Sequence, residues 1–305
     1  MNGITIIGNI NADIIARPVA ALPAPGTEQT IESIELRVGG AGAIAALCLA
    51  GLGSTAELVG SVGDDALGRL LLEELLRGGV PVKSIAVSGE TGICIATEAA
   101  DRDRSFLIAP GSPCQFSLPQ IPDRAVSAQR LLVCGYFLLP ALRHGGAGTL
   151  LQRARARGDE TFLDTGWDPD GWTAETRNEV LGLLAWVDMF LPNEAEAMAI
   201  AGEPDVHNAA RALQARSGRW CIVKRGPKGS MAVGPGGTQF AIMAPAVQVA
   251  DTTGAGDAFN AGILQARSEG RPWDEAIGFA TLLASTVVSR PSRDRYPKRH
   301  ELHEG

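Results

Sequence analysis

The stretch Asp251 to Asn260, DTTGAGDAFN, constrains this chain more than any other. It joins an apolar, β-leaning segment, Phe240 to Ala250, broken at Pro245, to a run whose Ala258, Phe259, Ala261, Gly262, Ile263, Leu264 and Ala266 have the density of a buried helix. The Gly254-Ala255-Gly256 turn between them lets the backbone approach a ligand and adopt positive φ. The first amides of the following helix lack intrahelical acceptors, and the helix dipole adds about half a positive charge there. Such an end binds anions, phosphate foremost. Asp257 sits inside that first turn, where a carboxylate would repel bound phosphate. Its presence fits a base that takes a proton from a hydroxyl attacking that phosphate. In isolation it fits equally well a helix acid that merely faces the dipole.

With 305 residues, 45% of them apolar and 20% charged, the chain can bury the core of one large α/β domain or two small ones. A net charge of −7, with no long basic run before the tail, argues against a nucleic-acid surface. Cys48, Cys94, Cys114, Cys134 and Cys221 are scattered, with no C-x-x-C pair, and read as small buried side chains in a reducing compartment. His144, His207, His300 and His303 show no metal-ligand spacing. Met1 to Gly8 reads as a strand without a charged leader, and the apolar run Ala41 to Leu52 is too short to span a bilayer. A soluble, cytoplasmic protein with no membrane partner is expected.

Ile4 to Ile7 has the continuous apolar character of a strand buried on both faces. In the following GNINAD, Asn9, Asn11 and Asp13 alternate at period two, so an extended backbone points all three one way. Polar groups at the C-terminal end of a strand are where open α/β sheets place ligands, although a solvated turn has the same composition. Thr27 to Val38 alternates Ile31, Ile34, Leu36 and Val38 with Glu28, Glu32, Glu35 and Arg37, a strand with one wet face. Thr91 to Ile108 reads as two strands around a polar turn, Asp101-Arg102-Asp103, with Arg104 at its end.

Helices are expected over Ala43 to Leu52, Ala66 to Arg77 with Asp64 or Asp65 as N-cap, Leu142 to Arg157, Thr176 to Ala185 and Asp274 to Ser289. Strands are expected over Leu131 to Cys134, Thr161 to Asp164, Val187 to Leu191 and Trp220 to Lys224. This alternation predicts a parallel sheet covered by helices on both faces. Tyr136 and Phe137 fit either a pocket wall or plain core, and the closing RPSRDRYPKRH reads as a solvated basic tail. P-loop, complete G-x-G-x-x-G and G-x-S-x-G signatures are absent, which removes P-loop chemistry and leaves Rossmann dehydrogenases and α/β-hydrolases unsupported.

The DTTGAGD string, with the Gly39-Gly40 pair, Val59 to Gly68, Pro192 to Glu196 and the RGPKGS turn in the same order, resembles the ribokinase-like carbohydrate kinases, also called the phosphofructokinase-B family, from about Ile4 to Pro291. The resemblance implies a single ribokinase-like α/β domain over residues 1–305: a doubly wound, mostly parallel sheet flanked by helices, with a small β-sheet lid from about 12–38 and 91–109. It implies an ATP-dependent phosphotransferase acting on a hydroxyl of a small sugar or sugar-like substrate. Asp257 would be the base, with Gly254, Ala255 and Gly256 completing the anion hole. Asn11, Asp13, Gly39 and Gly40 would hold the acceptor, and Lys224, Gly226 and Gly229 the nucleotide. Asn193 and Glu196 would arrange Mg²⁺ through water, and Asp251 with neighbouring carbonyls would take a monovalent cation, K⁺.

A homodimer through the lid is also implied. One position departs from the pattern: Ile44 stands where the family usually has an Asn that contacts substrate hydroxyls. That departure, with Tyr136 and Phe137 as aromatics that would tolerate a base, leaves a nucleoside kinase of the same fold as the alternative. A catalytically silent member that binds a sugar or nucleotide is a separate class that also stays open.

Overall fold

Consecutive apolar residues bounded by glycine, proline and acids become strands, and the small-residue runs between them become helices. The computed structural model describes residues 3–19, 21–98, 104–123 and 128–302. Among these the strands are β1 (Ile4–Gly8), β2 (Asn11–Arg17), β3 (Ser33–Gly39), β4 (Ala56–Val62), β5 (Ile85–Val87), β6 (Gly92–Glu98), β7 (Arg104–Ala109), β8 (Arg130–Cys134), β9 (Glu160–Asp164), β10 (Met189–Phe190), β11 (Trp220–Lys224), β12 (Ser230–Val233) and β13 (Gln239–Ile242). The helices are α1 (Ala41–Gly51), α2 (Ala66–Arg77), α3 (Pro140–Arg143), α4 (Gly146–Ala156), α5 (Ala174–Leu183), α6 (Glu194–Ala201), α7 (Val206–Ser217), α8 (Ala255–Ser268) and α9 (Trp273–Ser289).

The large sheet runs β13-β12-β11-β10-β9-β8-β1-β4-β5. Its strands from β5 to β11 are parallel, and β12 and β13 close one end as antiparallel hairpins. Alternating side chains serve two cores. Ile4, Ile6, Leu132, Phe162 and Met189 pack with α1, α8 and α9 on one face. Ile7, Leu131, Val133, Leu163 and Phe190 pack with α4 to α7 on the other. Burial on both faces is why these strands read as unbroken apolar runs. Strand order reverses at β1, with β4 on one side and β8 on the other, and open α/β sheets place their ligand crevice at the C-terminal strand ends of such a reversal.

The small sheet, β3-β2-β6-β7, springs from that edge, since only Asn9 and Ile10 separate β1 from β2. Its position accords with the expected accessory sheet, but its faces are the reverse of the expected ones. Ile34 is 68% exposed, whereas Arg37 is turned inward and only 14% exposed. The cause is ion pairing: Glu35 bonds Arg17, and Arg37 bonds Asp251 across the fold. The Asp101-Arg102-Asp103 turn and the Arg104 side chain lie outside the described residues, as does His303.

Smaller departures have local causes. Residues 27–32 are irregular, and the helix expected over 142–157 divides at Gly145, whose φ of 92° ends one turn and starts the next. Asp65, not Asp64, caps α2 by accepting from the Gly68 amide. The closing segment is no solvated tail, because Arg295 and Leu302 are buried. No helix among the described residues is long and apolar enough to cross a membrane.

Helices α8 and α9 lie flush where Gly262 meets Ala280; a Cβ on Gly262 would stand 2.6 Å from the Ala280 Cα. Helix propensity alone favours alanine at such a site by about 1 kcal/mol. The backbone collision opposes that preference and is the larger effect. Gly262→Ala should therefore lose about 1–3 kcal/mol, seen as a lower urea midpoint at unchanged slope.

Candidate active site

One wall of the crevice is the row at the start of β2. Asn9 Nδ2 donates to Asn11 Oδ1 at 2.8 Å, and Asn11 Nδ2 donates to Asp13 Oδ1 at 2.6 Å. Asn9 Oδ1 in turn accepts the Ala41 amide at 3.1 Å, fixing the entry to α1. The paired glycines are required by this row. A Cβ on Gly39 would fall 2.0 Å from Asp13 Oδ1, and Gly40 holds a φ of 95° beneath the Asn9 carbonyl. Burial pushes the Asp13 carboxyl up to about 6, against the pull of Arg37, Arg295 and the Asn11 hydrogen bond. Asp13 is thus held rigid, with Arg37 as its cross-strand neighbour.

The facing wall is the start of α8. Gly254 adopts left-handed φ 73° and no side chain caps the helix, so the first-turn amides remain for a ligand. Asp257 lies half-buried in that turn. Its carboxyl is raised to about 7, chiefly by burial and then by the charge of Asp164, with Lys224 opposing and Asp13 adding a smaller rise. The charge of Asp13 thus reaches Asp257, so the start of β2 and the start of α8 act on one another. Ile44 completes the contact: a Cβ on Gly254 would meet its Cγ2 at 3.0 Å. The apolar residue noted in the sequence thus lies against the Gly254 turn itself.

Two residues that sequence reading left out hold this centre together. Asp164 ends β9, and its Oδ2 accepts from Lys224 Nζ at 2.6 Å and from Asn260 Nδ2. Lys224 ends β11, and its ammonium lies 3.4 Å from where a Cβ on Gly256 would be, against the backbone at the start of α8. Asn260 follows Asp257 by three positions and is fully buried in α8. A polar side chain in the middle of an apolar helical run was the available signal. Gly226 has positive φ and open space, whereas Gly229 is demanded by the hairpin, its Cβ position being 1.9 Å from the Ile242 carbonyl.

Asn193 and Glu196 form a capping box: Asn193 Oδ1 accepts the Glu196 amide at 2.9 Å, and Glu196 Oε2 accepts the Asn193 amide at 2.8 Å. Glu196 is 4% exposed, and burial and Asp164 push its carboxyl up. One carboxylate with an oxygen outside the cap suits a magnesium that keeps most of its waters. Among the described residues no three His, Cys, Asp or Glu side chains gather to cage a metal.

Asp251 departs from expectation. Its Oδ2 accepts from Arg37 Nη1 at 2.6 Å and Arg295 Nη1 at 2.9 Å, while Oδ1 accepts the Thr253 amide at 2.8 Å. The two guanidiniums, against the cost of burial, hold this carboxyl far below the usual range. A monovalent cation on the same oxygen would stand beside two fixed positive charges. Each such contact costs about 4 kcal/mol at 4 Å in an effective dielectric of 20. The residues present do not fit that ion. Tyr136 and Phe137, the other open reading, are core: the Tyr136 hydroxyl donates to Glu179, and Phe137 packs edge-on against Trp172.

The crevice, its uncapped helix and the small sheet above it belong to one pattern of chain. The signature of the pfkB family carbohydrate kinases matches residues 1–298. This chain belongs to that family. The kinase is 28% identical to the ribokinase of Haemophilus influenzae, over 99% of this chain and 97% of that one. It is 27% identical to the aminoimidazole riboside kinase of Salmonella typhimurium, over 91% and 84%. Its fold is ribokinase-like: the Arabidopsis thaliana ribokinase solved with ribose and ATP superposes with a TM-score of 0.82 at 27% identity, covering 99% and 97% of the two chains.

The raised carboxyl at Asp257 has a consequence for stability. Its folded value, about 7, lies above the 3.8 of a free carboxyl. Its contribution to stability is therefore full below the lower value and is lost as pH rises through the upper one. Asp257→Asn, which cannot titrate, should gain in Tm over wild type between pH 5 and pH 8. An equal Tm difference at both pH values would show that the carboxyl is not strained.

Proposed function

We propose that this kinase transfers the terminal phosphoryl group of ATP to a hydroxyl of a small sugar or sugar-like acceptor, with Asp257 as the base. The observation that carries this reading is a carboxylate, Asp257, in the first turn of a helix whose left-handed Gly254 start carries no side-chain cap, in a chain that matches the pfkB family over residues 1–298. Asn11, Asp13, Gly39 and Gly40 hold the acceptor so that its hydroxyl meets the phosphoryl group in line. The acceptor O–P bond forms as the bond to ADP breaks, and the hydroxyl proton passes to the Asp257 carboxylate. Amides from Gly254 through Ala255 and Gly256 to Asp257 take the charge that spreads over the phosphoryl oxygens. Lys224 adds its ammonium there, and Gly226 and Gly229 shape the nucleotide side. Mg²⁺, held by the phosphates and approached by Glu196 and Asn193 through water, would neutralise the bound triphosphate. The small sheet acts as a lid that keeps water from the phosphoryl group.

A nucleoside acceptor is the second reading. It is supported by Ile44, which puts an apolar surface against Gly254, and by the likeness to an aminoimidazole riboside kinase. ADP release measured over a panel of sugars, sugar acids and nucleosides separates the two; ligand binding with no turnover anywhere on the panel would instead indicate a silent sensor. On the accepted substrate, kcat/KM should fall below about pH 7 as Asp257 takes up its proton. Asp257→Asn should lose about 10² to 10⁴ in turnover while still binding nucleotide. Near-normal turnover in that variant removes Asp257 from the role.

The lid's apolar side chains support a homodimer. Ile34, Leu36 and Leu107 are exposed on the face of the small sheet turned away from Asp13. Light scattering should give twice the 31.8 kDa of one chain, and Ile34→Glu should halve it. A wild-type mass of one chain at micromolar concentration rules the pairing out.

A further inference from the structure

The C-terminal segment brings a charge to the site that the catalytic reading does not use. After α9 the chain turns back, and Arg295 ends beneath the turn that leads into the anion hole, 4% exposed. It is anchored on both sides. The next residues press on α1, where a Cβ on Gly51 would meet the Pro297 carbonyl at 2.8 Å. Three residues earlier, Ser292 Oγ donates to Glu35 Oε2 at 3.0 Å and receives Arg37 Nη1 at 3.3 Å, strapping the segment to β3.

Asp251 is the receiver of both guanidiniums, and it also shapes the turn. Its Oδ1 accepts the Thr253 amide, and its own amide donates to the Val288 carbonyl at 3.1 Å. Arg295 Nε and Nη2 and Arg37 Nη2 are buried with no hydrogen-bond partner among the described residues. Both guanidiniums pair with the Asp251 carboxylate. Their charge acts on both carboxyls of the crevice: Arg295 pulls Asp13 and Asp257 toward their ionised forms.

We infer that Arg295 is a positioning residue, a fixed internal cation beneath the anion-hole turn, which frees this kinase from any need for a monovalent metal ion. The inference rests on the kinase reading above. A guanidinium keeps its charge at every working pH. Held in place by folding, it stabilises charge on the phosphoryl group without reorganising at the moment of reaction. Arg37 reaches the same oxygen from the small sheet, so lid position and turn geometry share one carboxylate, but Arg295 comes from the body of the fold and stays with the turn.

The test is turnover and melting of the full chain in KCl, NaCl and tetramethylammonium chloride at constant ionic strength. Wild-type turnover should agree within about twofold across the series, since bulk screening is then constant. Its Tm should show no preference for K⁺. Arg295→Ala should lose about tenfold in turnover, less than the 10² to 10³ of removing a direct oxyanion donor. Guanidinium or K⁺, but not tetramethylammonium, should restore part of the loss, and Arg295→Lys should retain more activity than Arg295→Ala.

A K⁺-selective gain in wild-type turnover or Tm overturns the inference. So does an Arg295→Ala protein that is fully active, or one that folds and is inactive with no small cation restoring it. The wild-type series decides even if Arg295→Ala fails to fold. The melting arm needs no acceptor, so absence of turnover on every substrate counts against the kinase reading and leaves the cation result standing.

Discussion

Four carboxylates, Asp13, Asp164, Glu196 and Asp257, are coupled by charge near a sheet that is dry on both faces, Asp13 and Asp164 acting on Asp257 and Asp164 and Asp257 on Glu196, and much of the site's build follows from making that tolerable. Burial penalises each charge, and each charge penalises its neighbours. Lys224 bonds Asp164, Arg37 flanks Asp13, and Arg295 acts on both Asp13 and Asp257. The balance is incomplete: burial still leaves Asp257 at about 7 and Asp13 at about 6. That residue of strain is what makes a carboxylate useful as a base near neutral pH, since an ordinary one is too weak a proton acceptor.

The scaffold makes such crowding affordable by rigidity. Asp164 and Lys224 end adjacent parts of one hydrogen-bonded sheet, and Asn260 reaches Asp164 from a helix packed flush against α9. Removing one partner of a buried pair leaves an uncompensated charge, at a cost of about 3–5 kcal/mol. The Lys224–Asp164 pair therefore belongs to the fold as much as to the site. The same holds for the capping box at Asn193 and Glu196, in which one Glu196 carboxylate oxygen accepts the Asn193 amide and so shapes the start of α6.

In the proposed reaction, acceptor choice would fall to the other wall. The row Asn9, Asn11 and Asp13 is polar and fixed, which suits hydroxyls, whereas Ile44 presents methyl groups to Gly254. A site that buries hydrogen-bonding groups rejects partners that leave them unpaired far more strongly than an apolar surface rejects an extra hydroxyl. In the proposed reaction Asp13 would be the sharper filter and Ile44 the more permissive one.

Local patterns in the sequence determined the strands β1, β8, β9 and β11, the helix over Ala66–Arg77, the Gly-Ala-Gly helix start and the period-two polar row. Each of these is a matter of neighbouring residues: periodicity, caps and turn glycines. Only the tertiary structure decided which face of β3 turns inward, that Tyr136 is core, and that the basic tail is buried. The Arg37–Asp251 pair spans 214 positions and the Arg295–Asp251 pair 44. No local pattern records such pairings, because charges find partners by where the folded chain puts them. The sequence thus located an uncapped helix start with a carboxylate in it. Which cations stand behind that end was settled by packing.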